Sequence, residues 1–149
     1  MMGEGIGRYG SVQLPDFAFS PTGGIKPLTE VTALAGVIGH PTPALDTYLY
    51  AGYEGVRRNN ANNTAYGYGD FNLVNSNCNV ENGTCSAQTS NVWQITAGGW
   101  EKLYQGDYGR VQIGLQGSIT RRNAFSDSFG TAPHAYEDIV MTSLRFYPQ

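Results

Sequence analysis

The chain has 149 residues and a formal net charge of −3; only 14% of its residues are charged, whereas glycine (20) and tyrosine (10) are abundant. The nine Lys and Arg residues are dispersed without a basic stripe, which argues against nucleic acid as a partner. No apolar run approaches the roughly 18 residues of a membrane helix. Glycine and tyrosine suit turns and pleated strands, so we expect an all-β protein.

The N-terminal residues 1–30 are interrupted by glycines and by three prolines, Pro15, Pro21 and Pro27. Proline has no amide hydrogen for a strand ladder, and within sheets it is confined to edges and bulges. We therefore predict a Gly/Pro-rich, irregular lead-in over residues 1–30, with one possible edge strand around Ser11 to Phe19.

Two apolar stretches predict the first pair of strands in a domain that covers residues 31–149. Val31–His40 is rich in Val, Ile and Ala, and the prolines of Pro41–Ala44 end it sharply. The second strand begins near Leu45 and alternates as far as Tyr53, with aromatic residues on both faces. A short turn is therefore expected between these two strands.

Residues 57–90 are rich in Asn, Gly, Ser and Thr, which is typical of a long exposed connection. Within them, Cys78 and Cys85 flank an Asn-Gly pair that favours a tight turn. The two thiols can meet across the tip of this loop at modest entropic cost, so a disulfide is favoured over free cysteines. Zinc is not expected, because the chain has no second cysteine pair.

Three further strands are predicted after this loop. Apolar and polar residues alternate from Val92 to Tyr104, and a Gly-Asp-Tyr-Gly turn leads into Val111–Thr120. The last strand begins at Tyr136 and ends near Tyr147. Val111–Thr120 alternates almost without interruption and has about the length of a tilted strand that crosses a bilayer.

The connections between the predicted strands alternate in length: those after the first and third strands are short, and those after the second and fourth are long. In an antiparallel meander, alternate connections lie at opposite ends, so one rim carries tight turns and the other carries extended loops. Transmembrane β-barrels have this asymmetry. The sequence thus predicts an antiparallel up-and-down meander, as a partial transmembrane β-barrel of about five to six strands.

Several stretches carry a likeness to a known class of protein: Gly5–Ser11, His40–Asp46 with Tyr48–Glu54, and Ser143–Pro148. In these stretches the chain resembles the C-terminal part of Gram-negative outer-membrane β-barrel proteins of the porin-like, largely uncharacterised kind. The resemblance implies an outer-membrane location, as part of a longer exported protein, and outer-membrane lipid as a partner. The strands needed for closure are expected on a longer chain or on other copies of this one.

Strand alternation assigns the side chains to two faces. If the apolar face meets lipid, the lipid-facing residues are Trp93, Ile95, Val111, Ile113, Leu115 and Ile119. The residues expected to face an aqueous lumen are Glu54, Gln94, Thr96, Lys102, Gln112, Gln116, Ser118, Thr120 and Arg122. Such a lining has mixed charge and would pass or bind small polar solutes without strong ion preference.

The sequence offers no clear catalytic constellation. His40 stands at a strand-turn boundary and His134 lies in a loop, and neither accompanies a recognisable nucleophile motif. Glu137 and Asp138 are adjacent and point to opposite sides of a strand, so they cannot act as a carboxylate pair. We expect no enzymatic activity, no cofactor and no metal site.

A different class of protein fits the same alternation. The apolar face could pack on a second sheet in a soluble, secreted β-sandwich whose Tyr- and Asn-rich loops bind carbohydrate. Gly99 and Gly117 interrupt the apolar positions, where a packed sandwich normally has larger side chains. The barrel segment is therefore the preferred hypothesis.

Overall fold

A computed structural model describes residues 1–60, 67–83 and 85–148. In these residues the regular structure consists of β-strands and one short 3-10 turn at Gly7–Tyr9. No helix in this described part is long and apolar enough to cross a membrane. The prediction of an all-β chain is confirmed.

The strands of the described residues are numbered in chain order. They are β1 (Met2–Glu4), β2 (Phe17–Phe19), β3 (Ile25–Pro27), β4 (Thr29–Gly39), β5 (Leu45–Val56), β6 (Asn59–Asn60), β7 (Gly67–Tyr68), β8 (Thr89–Gly106), β9 (Gly109–Ala124) and β10 (His134–Tyr147). The five strands predicted from apolar patterning correspond to β4, β5, β8, β9 and β10. Most of them extend a few residues beyond the regular alternation, because ladder hydrogen bonds continue where the side-chain pattern does not.

Six strands form the main sheet, in the order β1-β4-β5-β8-β9-β10. From β4 onward the sheet follows the chain without a crossover, so the predicted meander is confirmed. β1 adds to the β4 edge in antiparallel register, with Met2 opposite Val31. Two smaller antiparallel pairs, β2-β3 and β6-β7, lie outside this sheet.

The lead-in is more regular than its composition indicates, since residues 1–30 contain three short strands. The possible edge strand around Ser11 to Phe19 is reduced to β2, which pairs with β3 and places Phe19 opposite Ile25. Pro27 is the last residue of β3, where its missing amide hydrogen costs little. β1 is stabilised by pairing with the distant strand β4, and β2 and β3 are stabilised by pairing with each other across a short loop.

The chain divides into two compact units, each assembled from three stretches. The first unit comprises Met1–Ala33, Tyr53–Trp93 and Arg121–Tyr136, and the second comprises Leu34–Gly52, Gln94–Thr120 and Glu137–Gln149. The strands β4, β5, β8, β9 and β10 therefore contribute residues to both units.

The first unit has a small apolar core of Leu14, Ala18, Leu28 and Val56, with Tyr68 and Phe125 packed against it. Tyr68 comes from residues 57–90, the stretch predicted as an exposed connection. Asn75 of the same stretch is only 3% exposed. Part of this connection therefore packs into the first unit. In the second unit, by contrast, the described residues include no buried apolar side chain.

Candidate functional site

On β9 the polar side chains are buried and the apolar side chains are exposed, which is the reverse of the usual arrangement in a water-soluble sheet. Gln112 and Ser118 are 6% and 5% exposed, whereas Ile113, Leu115 and Ile119 are 46%, 60% and 50% exposed. Soluble proteins normally bury Ile and Leu and expose Gln and Ser. The polar face of β9 is thus covered by protein, and its apolar face is open.

Aromatic rings of the second unit cover glycines on the polar face. Tyr48 of β5 lies across Gly98 of β8, where an added Cβ would come within 2.5 Å of the Tyr48 hydroxyl. The same hydroxyl donates a 2.8 Å hydrogen bond to Oε1 of Gln116 on β9. Tyr48 therefore bridges three strands above a position that only glycine fits.

Trp100 and Tyr50 repeat this arrangement in the second unit. The Trp100 ring covers Gly114, and the Arg145 guanidinium carbon lies 3.9 Å from the Trp100 ring centroid. Tyr50 covers Gly36 and packs beside Tyr48 at 5.5 Å between ring centroids. The sequence indicated aromatic residues on both faces of β5. It did not predict that their rings cover glycines, because each ring and its glycine lie on different strands.

The second unit holds seven of the nine residues predicted to face a lumen. Gln112 and Ser118 are buried, Thr96, Gln116 and Thr120 are half-buried, and Lys102 is held at the hairpin turn. Its Nζ lies 3.1 Å from the Pro43 carbonyl oxygen and 3.2 Å from the Asp46 carboxylate. Gln94, a seventh member at the start of the second unit's β8 portion, is exposed.

The remaining predicted lumen residues, Glu54 and Arg122, lie in the first unit. The Glu54 carboxylate accepts hydrogen bonds from the Ser11 amide, the Ser11 hydroxyl and the Val12 amide, at 2.7–3.0 Å. Arg122 donates from Nε to the Thr89 hydroxyl at 2.7 Å. These two side chains have partners within the fold, which sequence alone did not reveal.

The residues predicted to face lipid all occupy odd-numbered positions on β8 and β9. Ile95, Ile113, Leu115 and Ile119 are exposed, and Val111 and Trp93 are half-buried. A Cβ added at Gly117 would meet no atom within 4 Å. The apolar face is therefore open space at Gly117, without a covering protein layer among the described residues.

Glu30 of β4 is a buried carboxylate that sequence reasoning missed. It is 1% exposed, and neither carboxylate oxygen has a hydrogen-bond partner. Burial is the main cause that raises its pKa, and the nearby charge of Asp16 adds to the effect. No local sequence signal marks this residue, because the segment that covers it comes from a separate part of the chain.

Asp127 organises the loop between β9 and β10. Its carboxylate accepts hydrogen bonds from the amides of Asn75, Phe129 and Thr131. Burial raises the pKa of this carboxyl, but the amide hydrogen bonds together outweigh burial and hold the pKa below its usual range. Asn75 donates in turn to the carbonyl oxygens of Phe125 and Thr131, so two distant loops are joined.

Cys78 and Cys85 form a disulfide in the structure. The bridge lines a cavity of about 150 Å³ together with Arg122 and His134. The side chains of Arg122 and His134 are both exposed to solvent. The cavity therefore has the character of a surface cleft beside the loop.

The two histidines lie apart from each other, and His134, which was expected in a loop, is the first residue of β10. His40 Nδ1 is 2.7 Å from Oδ1 of Asp46 at the turn between β4 and β5. His134 packs edge-on against Tyr136, with the ring centroids 5.6 Å apart. Among the described residues no group of three or more His, Cys, Asp or Glu side chains is arranged to hold a metal ion.

Comparison with known protein families, with curated proteins and with solved structures found no match for this chain. The arrangement of its own side chains is therefore the basis for a functional proposal.

Proposed function

We propose that this chain is a segment of a bacterial outer-membrane β-barrel protein of the porin-like kind, with a structural or pore-forming role. The membrane-crossing parts would be the portions of β4, β5, β8, β9 and β10 in the second unit. Their apolar face would contact lipid and their polar face would line an aqueous interior. The missing strands would come from a longer chain or from other copies.

The observation that carries this proposal is the reversed burial on β9. Leu115 is 60% exposed while the neighbouring polar face, including Gln112 at 6%, is covered. Exposed Ile and Leu side chains at alternate positions of a strand are costly in water and favourable in a hydrocarbon layer. A barrel wall has this alternation, with apolar residues outside and polar residues inside.

The lengths of the connections also support the proposal. Two residues join β8 to β9 and five join β4 to β5, whereas β5 and β8 are separated by residues 57–88. Both short turns belong to the second unit. In outer-membrane barrels the turns on the periplasmic side are short and the external loops are long.

The polar face supports passage or binding of small polar solutes rather than of ions. Its buried or half-buried members Gln112, Gln116 and Ser118 are neutral. Lys102 is paired with Asp46, so the charges of these two side chains offset each other. Neutral hydrogen-bonding groups recognise polar solutes without a strong preference for one sign of charge.

The test compares two adjacent positions of β9 in the full chain refolded into vesicles. Leu115→Cys and Gln116→Cys are each labelled with a fluorophore, and quenching by brominated lipid chains is measured. Native Cys78 and Cys85 do not compete for the label, because they are bridged. We expect strong quenching at position 115 and little at position 116, since successive side chains point to opposite faces.

Equal quenching at both positions, or none at either, would contradict the proposal. Extraction of the wild-type chain from vesicles with alkaline carbonate gives an independent check. A chain that stays in the supernatant as a compact monomer would instead favour the soluble β-sandwich that binds carbohydrate.

A further inference from the structure

A segment of the first unit, residues 5–16, forms a closed loop that we call the strap. Both of its ends are fixed to the backbone of Leu28: the Gly5 amide donates to the Leu28 carbonyl, and the Leu28 amide donates to the Asp16 carbonyl, each at 2.9 Å. Leu14 of the strap is buried in the apolar core of this unit. The strap is therefore a compact loop with adjacent ends.

Two carboxylates hold the middle of the strap. Glu54 of β5 accepts three hydrogen bonds from Ser11 and Val12. Asp16 accepts from the amide and from Nε of Arg8, at 2.8 and 2.6 Å. Each of these carboxylates is satisfied as an anion, so both favour a closed strap while they are ionised.

Glu30 lies beneath the strap and, unlike Glu54 and Asp16, is buried with its carboxylate oxygens unpaired. A Cβ added at Gly7 would be 2.1 Å from the Leu14 carbonyl oxygen and 2.7 Å from Oε1 of Glu30, so the strap backbone sits directly on the carboxyl group. Neither oxygen has a hydrogen-bond partner and the residue is 1% exposed. A carboxylate anion in such a place is unfavourable, whereas the neutral acid is tolerated.

The charged groups around Glu30 do not relieve this cost. Asp16 of the strap adds repulsion, and Arg8 is already bound to Asp16. Glu54 of β5 faces the next turn of the strap at Gly10, and Arg57, whose amide donates to Thr29, has an exposed side chain. The backbone amide of Ile6 in the strap favours the ionised form, but its effect on the pKa of Glu30 is smaller than that of burial and of Asp16. Water that enters on opening is therefore the main source of solvation for an ionised Glu30.

We propose that the strap is a proton-controlled lid, closed over Glu30 when that carboxyl group is neutral and lifted when it ionises. This inference concerns the first unit and does not depend on a membrane location. Because burial raises the pKa of Glu30 above its ordinary value of 4.5, closure is fully stabilised below that value. The stabilisation is lost progressively as the pH rises from there through the raised pKa.

The test follows amide hydrogen exchange of the strap in the full chain between about pH 5 and pH 8, and compares wild type with Glu30→Gln at each pH. The ratio of the two rates cancels the pH dependence of chemical exchange. We expect the wild-type strap to exchange about tenfold faster, relative to Glu30→Gln, at the upper pH than at the lower, because ionisation of Glu30 favours the open strap. A ratio that stays constant would overturn the proposal.

A second measurement covers the case in which Glu30→Gln fails to fold. In wild type alone, strap protection corrected for intrinsic exchange must fall over this pH range while the protection of β9 stays unchanged. Parallel loss in both elements, or no loss in the strap, would also overturn the proposal. Glu54→Gln serves as a contrasting variant, since it weakens the hydrogen bonds to Ser11 and Val12 and leaves Glu30 in place.

Discussion

At the residue scale, glycine positions distinguish the two faces of the second unit. Gly98 lies under the Tyr48 ring, and its added Cβ would also be 2.8 Å from the Leu115 carbonyl oxygen. Gly117 has open space around it. Both residues interrupt strands, and the sequence alone treats them alike. Their neighbours in space decide what each can tolerate.

Alanine substitutions at these two glycines should therefore differ in effect. Gly98→Ala is expected to destabilise the folded chain by about 1–3 kcal/mol, because a methyl group there displaces both a ring and a backbone carbonyl. Gly117→Ala is expected to be within about 0.5 kcal/mol of wild type or slightly stabilising, since alanine reduces chain entropy without a clash. Urea unfolding followed by tryptophan fluorescence measures both; equal losses would contradict the assignment of the covered face.

At the element scale, the connection between β9 and β10 depends on one carboxylate. Asp127 receives amide hydrogen bonds from its own loop and from Asn75, which is fifty-two residues away in sequence. Those donors stabilise the ionised form, so the pKa of Asp127 is depressed in the folded chain. The stabilisation is present above the ordinary value of 3.8 and is lost as the pH falls through the depressed pKa.

Removal of this charge should loosen the loop while leaving the strands intact. Asp127→Asn is expected to increase hydrogen exchange at the Asn75 and Thr131 amides by about tenfold or more at neutral pH. Asp107→Asn, in the exposed turn between β8 and β9, is the matched control and should leave these amides unchanged. Unchanged protection in Asp127→Asn would show that other contacts hold the loop.

At the scale of the whole molecule, the two units differ in what they bury. The first has an apolar core around the fully buried Leu28, whereas described apolar side chains of the second are at least partly exposed. Exposed apolar residues on neighbouring strands form a patch of the kind that associates in water. The terminal strands β1 and β10 of the main sheet add open edges with unpaired backbone groups.

The chain should consequently self-associate in lipid-free buffer. Lysines introduced together at Ile113 and Leu115 are expected to weaken that association by about tenfold or more, which corresponds to about 1.4 kcal/mol. Lysines at the exposed polar residues Gln94 and Ser128 add the same charge and serve as the control. Sedimentation velocity over a range of concentrations measures the effect; equal weakening by both pairs would indicate a general charge effect instead.

The period-two pattern of the sequence determined the strands and their order in the meander. Alternation from Val111 to Thr120 depends only on neighbouring residues, since successive side chains of a strand point to opposite faces. The same local rule identified which residues share a face, and the Asn-Gly turn indicated how Cys78 and Cys85 could meet. Strands with a clear pattern were therefore predictable, and the short strands β1, β2 and β3 were not.

Tertiary structure decided which groups are covered, because burial depends on segments that are distant in sequence. The strap over Glu30, the Tyr48 ring over Gly98 and the bond from Asn75 to Asp127 each join residues whose sequence neighbourhoods show no sign of the contact. It also decided that Gln112 is covered while Leu115 is open. Alternation separates two faces but carries no information about what lies against either one, and that information comes from packing alone.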